Sequence, residues 1–125
     1  MNDNLELNIP IIDEKHDEFL EILAKIKSSN KTEFLPLFKE MIEHTKEHFT
    51  FEEELMDKYN FYAKGEHVEE HKNLLNEMEY FYEKAQKMPL FGQSYIDDYA
   101  YEKFKRHIIN IDSQFAMFLR EKNLT

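Results

Sequence analysis

Apolar residues return along this chain at intervals of three and four, the spacing that keeps one face of an α-helix against a core. From Asp13, read as an N-cap, Phe19, Leu20, Leu23 and Ile26 carry that rhythm as far as the polar run at residues 28–31. Phe34, Leu37, Met41, Thr45, Leu55 and Tyr59 form a second stripe. Thr32 is its expected cap, and Pro36, tolerated only near a helix start, moves the expected first turn a few residues later. Asn60 and the Lys64-Gly65 pair break the pattern. Leu74, Leu75, Met78, Phe81 and Tyr82 then outline a third helix to about Met88, ended by Pro89 and Gly92. Ser94 with Asp97 resembles a capping box, and Ile96, Ala100, Phe104, Ile108, Ile111, Phe115 and Phe118 mark a fourth.

Short connections make neighbouring helices antiparallel, so the expected fold is all-α, an up-down-up-down four-helix bundle. Residues 1–12 are expected to form an extended N-terminal arm whose Leu5, Leu7, Ile9 and Ile11 pack across the bundle. Composition agrees. With only two glycines and three prolines in 125 residues, the chain lacks the punctuation of a β architecture, and its length suits one domain over 1–125.

A formal net charge of −10 opposes binding to nucleic acid or to an anionic membrane surface, and no Lys/Arg cluster reverses it locally. No apolar stretch reaches the roughly 20 residues of a membrane span, and the N-terminus lacks a signal-peptide pattern, so a cytoplasmic location is expected. With no cysteine, metal chemistry has to rest on imidazole and carboxylate.

Those groups occur where a core should be. At about 100° of rotation per residue, Leu37, Met41, Leu55 and Tyr59 lie within about 20° of His48, and Glu52 only about 40° away. Glu53 and Glu54 rotate outward and read as solvated charges. His67 and His71 align with Leu74, Met78 and Ala85; His16 shares a side with Leu20 and Leu23; His107 lies near the stripe of Phe104, Ile111 and Phe118. One inward histidine is ordinarily a core residue bonded to a carbonyl. Five, with a carboxylate, would cost a small domain too much unless a shared cation compensates them. His44 lies about 70° off its stripe and reads as a boundary residue. Asp112, five residues past His107, falls about 140° round the helix, reachable from a pair of metals but hardly from one.

The segments IIDEKH ending at His16, HFTFEE from His48, HVEEH from His67 to His71, and HIINID from His107 to Asp112 together resemble the hemerythrin family over most of the chain. The resemblance implies that His67, His71 and His107 bind one iron, His16 and His48 a second, and that Glu52 and Asp112 bridge the two. With a bridging oxygen, these ligands fill all but one of about twelve positions on two six-coordinate ions. By the same resemblance the open position, on the two-histidine iron, takes dioxygen, and Phe19, Phe49, Phe104 and Ile108 are candidate walls of its pocket.

The expected function is reversible dioxygen binding, not enzymatic turnover. Three other readings compete. A ferritin-like di-iron oxidase would use Glu-x-x-His pairs, and no histidine here has Glu three residues before it. HVEEH fits the His-x-x-Glu-His pattern of some zinc peptidases but leaves His16, His48, Glu52 and His107 unexplained. An oxygen- or redox-sensing module would share the same chemistry, as would reactivity toward peroxide or nitric oxide at the same site.

Overall fold

The computed structural model describes residues 6, 7 and 9–122, and Leu5 of the expected arm lies outside them. Four helical rods form the bundle: α1 (Pro10–Lys27), α2 (Lys31–Lys58), α3 (Lys64–Lys87) and a segmented fourth. The fourth rod runs without a break through α4 (Pro89–Ser94), a π-helical segment (Tyr95–Ala100), α5 (Tyr101–His107), a second π segment (Ile108–Asp112) and α6 (Ser113–Glu121). No strand occurs among the described residues.

Several boundaries differ from the expectation. Helix α1 starts at Pro10, where a proline's missing N–H costs nothing, so most of the supposed arm's end is helical. Asp13 is not the N-cap. One turn inside the helix, its carboxylate accepts from the backbone N–H of Leu7 and Ile9, at 2.9 and 3.2 Å. Ile9 is fully buried, whereas Ile11, expected to pack, is exposed.

Helix α2 begins before Pro36. Asn30 caps it, accepting from the N–H groups of Thr32 and Glu33 at 2.9 Å each, and Glu33 reaches back to the N–H of Asn30. This reciprocal box holds the first turn although Pro36, five residues after Lys31, supplies no N–H to it. Asn60, two residues past the end of α2, takes the left-handed region, φ 53°, which asparagine tolerates better than most residues. Gly65 then lies inside α3 and breaks nothing.

Gly92 also sits within a helix. A Cβ there would come 2.4 Å from the Cβ of Ala85, so glycine is needed for the close approach of α4 to α3. Ser94 is helical and forms no cap; its hydroxyl donates to Asp98 at 3.3 Å.

The core is divided in two. One apolar cluster gathers Phe19, Ile26, Phe38, Met41, Tyr95 and Ile96 among others. The second joins Ile9, Ile12, Met56, Phe61, Phe115 and Leu119, with Leu7 packed against it. On α1, α2 and the fourth rod the polar residues singled out above lie in sequence between the two clusters, and on α3 they lie between Phe61, which precedes the helix, and Met78.

Candidate metal centre

Helix α1 supplies His16, α2 His48 and Glu52 one turn apart, α3 His67 and His71 one turn apart, and the fourth rod His107 and Asp112. All seven are buried, Glu52 at 0% exposure and Asp112 at 1%. An i, i+4 pair on an α-helix projects from one face, which explains α2 and α3.

The fourth rod needs a different device. Counted at 100° per residue, His107 and Asp112 would stand on opposite shoulders of the helix. The backbone from Ile108 to Asp112 is instead π-helical, with i→i+5 hydrogen bonds that take an extra residue into the turn. Asp112 therefore returns beneath His107, its Oδ1 3.0 Å from the imidazole Nε2. The apparent misfit of Asp112 belonged to the assumed period.

The two carboxylates lie at the middle of the cluster. Asp112 touches His16 Nε2 at 2.9 Å and His67 Nε2 at 2.9 Å. Glu52 touches His48 Nε2 at 2.5 Å and His67 Nε2 at 3.2 Å. The donor atoms divide into two overlapping groups, each with all its atoms within 4.8 Å of one another. Glu52, His67, His71, His107 and Asp112 make one; His16, His48, Glu52 and Asp112 make the other. Both carboxylates belong to both.

Two buried atoms show whether a cation suits this arrangement. Nε2 of His71 lies 3.3 Å from Glu52 Oε1, and Nε2 of His107 lies 3.0 Å from Asp112 Oδ1, yet neither nitrogen makes a hydrogen bond. His71 donates through Nδ1 to Glu53 Oε2 at 2.8 Å, since an ionised carboxylate can only accept. In the neutral ring, Nε2 then presents a lone pair toward a carboxylate oxygen. Such a contact is unfavourable in a buried site, and a cation between the two groups satisfies both. The donor set of imidazole and carboxylate suits a borderline first-row metal such as iron.

Without a metal, protons hold the cluster together. Burial lowers the proton affinity of His67, but its bonds to Asp112 and Glu52 outweigh burial and raise its pKa to about 9. His16 is raised for the same reason, with Asp112 the main partner acting against burial. Burial would push the pKa of Glu52 and of Asp112 upward, and Asp112 adds to that on Glu52. Histidine contacts reverse both, led by His48 for Glu52 and by His107 for Asp112, so each carboxyl lies below its ordinary range.

Glu53, taken from sequence for a solvated charge, is only partly exposed and fixes the tautomer and orientation of His71. Its rotation out of the core turns it toward α3, and helical period alone does not disclose that. His44 belongs to neither donor group; half-buried, it pairs with Glu18 at 2.9 Å through Nε2. Glu70 lines a surface cleft away from the cluster, which removes the general base that a peptidase reading of HVEEH requires.

A cavity of about 20 Å³ adjoins one side of the cluster. Its wall includes His16 and His48, and also His107 and Asp112, but not His67 or His71. Of the four residues named from sequence, Phe19, Phe49 and Phe104 line it and Ile108 does not. Ile108 is buried and opens the π turn, one residue past His107. His44 also lines it, and Thr45, Leu74, Met78, Ala100 and Lys103, which carried no distinguishing signal in the sequence, complete the lining.

Compared with known families, residues 7–119 match the model of the hemerythrin HHE cation binding domain. No curated protein and no solved structure matches the chain.

Proposed function

The chain belongs to the hemerythrin HHE cation-binding family, and on that premise we propose that it holds two iron ions in its core and binds dioxygen reversibly beside them, as a carrier, store or delivery protein rather than a catalyst. His67, His71 and His107 would hold one ion, His16 and His48 the other, and Glu52 and Asp112 would be shared. Bound iron would supply the electrons that dioxygen takes up and gives back.

The observation that carries this reading is the cavity's position against the end served by two histidines. A volume of about 20 Å³ has room for one molecule the size of water or a diatomic gas. Phe19 and Phe104, stacked at 4.2 Å, and Phe49 make an apolar wall there. Such a wall disfavours water and charged competitors next to the ligand. Thr45, the buried hydroxyl of the lining, is already committed to the carbonyl of Met41 at 2.7 Å.

The test is the iron content of the purified chain together with its optical spectrum under dioxygen and under argon. Two irons per chain and a visible band that appears with dioxygen and fades on its removal are expected. One zinc per chain, or a band that never reverses, would overturn the proposal. No helix among the described residues is long and apolar enough to cross a membrane.

A further inference from the structure

The cavity beside His16 and His48 is walled largely by buried side chains, with the half-buried His44, Lys103 and Phe104 among them. Two of its lining residues, Leu74 on α3 and Lys103 on α5, also line a surface cleft of about 400 Å³ between α3 and the fourth rod. They therefore stand between the cleft and the cavity. Leu74 is buried and set by packing. Lys103 has its stem in the cavity wall, and its ammonium lies 3.4 Å from Glu77 Oε2, another residue of the cleft. Both partners are partly exposed, with side chains 41% and 30% accessible.

We infer that ligands of dioxygen size enter through this cleft and that the Lys103 side chain, latched by Glu77, is the door. An exposed ion pair is held weakly, and an exposed lysine changes rotamer within nanoseconds, so the latch opens often and closes again without disturbing the core. The opposite wall is built less suitably. His44 also lines the cavity, but it is a rigid ring, hydrogen-bonded to Glu18 and lying edge-on to His48 at 6.5 Å. Moving it disturbs a cluster residue, whereas moving Lys103 disturbs one surface pair.

This inference rests on the metal-bound ligand site proposed above, and the experiment separates the two. On the full iron-loaded chain, stopped-flow mixing would follow dioxygen with the reduced protein and azide with the oxidised one. A door belongs to neither end state. Lys103→Ala should thus raise association and dissociation rates together, by up to about fivefold, the factor by which a surface ion pair favours its closed form. The dissociation constant should stay the same. Glu77→Gln should shift the rates in the same direction by less, and Leu74→Phe, which narrows the partition, should slow both. Lys46→Ala removes a comparable exposed pair with Glu79, at 3.6 Å, that does not line the cavity, and should leave the rates unchanged.

Wild-type rates in Lys103→Ala and Glu77→Gln would overturn the inference, most directly if His44→Ala accelerated entry instead. So would a changed dissociation constant with an unchanged association rate, because Lys103 would then act on the bound ligand. Crystals pressurised briefly with xenon report the route without any iron chemistry. Xenon beside Phe104 should reach higher occupancy in Lys103→Ala than in the wild type, and equal occupancy would count against the door. A wild-type chain with no iron and no ligand band would instead sink the site proposal, and would do so before any variant was compared.

Discussion

The two ends of the buried cluster use the same kinds of side chain to opposite effect. At the three-histidine end, the ring of Phe49 lies flat on His71, 3.7 Å between centroids and 3° between planes. Phe61 and Phe115 stand edge-on to His67, and Glu53 holds the outer nitrogen of His71. At the two-histidine end, His16 and His48 stack on each other at 5.3 Å, and the small cavity adjoins both rings. One end is packed and braced, as a site that retains an ion should be. The other leaves space, as a site that exchanges a ligand should.

Removing a ligand from the open end should break the comparison most completely. His48→Ala takes one of two imidazoles and leaves Glu52 without its 2.5 Å contact. The expected result is loss of iron, from two per chain to about one or fewer, with loss of the dioxygen-dependent band. Elemental analysis and the optical spectrum decide it; full iron content with an unchanged spectrum would show that His48 is no ligand.

Next in size is a pH effect that has opposite sign with and without metal. In the metal-free chain, the raised pKa of His67 contributes stability that is complete below its ordinary 6.5 and is lost as pH rises toward about 9. A shift of that size corresponds to at most about 3 kcal/mol. The depressed carboxyls act in the other direction: their contribution is present above the ordinary values of 4.5 for Glu52 and 3.8 for Asp112, and is lost as pH falls through their lower folded values. Denaturant midpoints of the metal-free chain should therefore be highest between about pH 4.5 and 6.5 and fall toward pH 9. Iron affinity should rise over that last interval, because His67 has to lose its proton to become a ligand. A metal-free midpoint that climbs from pH 6.5 to 9 would contradict the proton-held cluster.

Glu53→Gln probes the bracing of the closed end alone. Glutamine can still accept from His71 but carries no charge, so iron affinity in chelator competition should drop by about tenfold, the low end of what outer-shell partners contribute. Glu54, exposed on the same helix, supplies the control. Equal affinities for Glu53→Gln and Glu54→Gln would show that the 2.8 Å contact orients nothing.

Much of this was legible in the residue order, because a regular helix turns sequence spacing into direction. His48 with Glu52 and His67 with His71 sit four apart on α-helical backbone, and their shared face follows from that spacing. Asp112 resisted the same arithmetic since the local period widens at Ile108, and nothing in HIINID marks a π turn to a reader counting 100° per residue. Glu53 escaped for another reason, as its partner is on a neighbouring helix and interhelical reach is not encoded in the period of either one. Gly92 looked like a stop because a glycine that breaks a helix and one that lets two helices touch are the same letter; only the 2.4 Å approach to Ala85 separates them.

The smallest effect is also the most specific to the open end. Phe104 stacks on Phe19 at 4.2 Å, stands edge-on to His16 at 5.5 Å and is only half-buried. Phe104→Ala should thus destabilise the fold by less than the roughly 3–5 kcal/mol of a fully buried phenylalanine. It removes no metal-type donor, so iron content should stay near that of the wild type. What it does change is the dryness of the cavity. Water admitted beside the bound ligand offers protons and hydrogen bonds that the apolar wall withheld, and oxidation of the dioxygen-loaded protein should quicken by several-fold, about the factor that 1 kcal/mol of barrier represents. The matching change at the packed end, Phe61→Ala, should cost more stability, since Phe61 is 4% exposed, yet leave that rate nearly untouched because Phe61 lies outside the cavity. If both variants oxidise at one common rate, the cavity has no special part in protecting the ligand, and the two ends differ in packing alone.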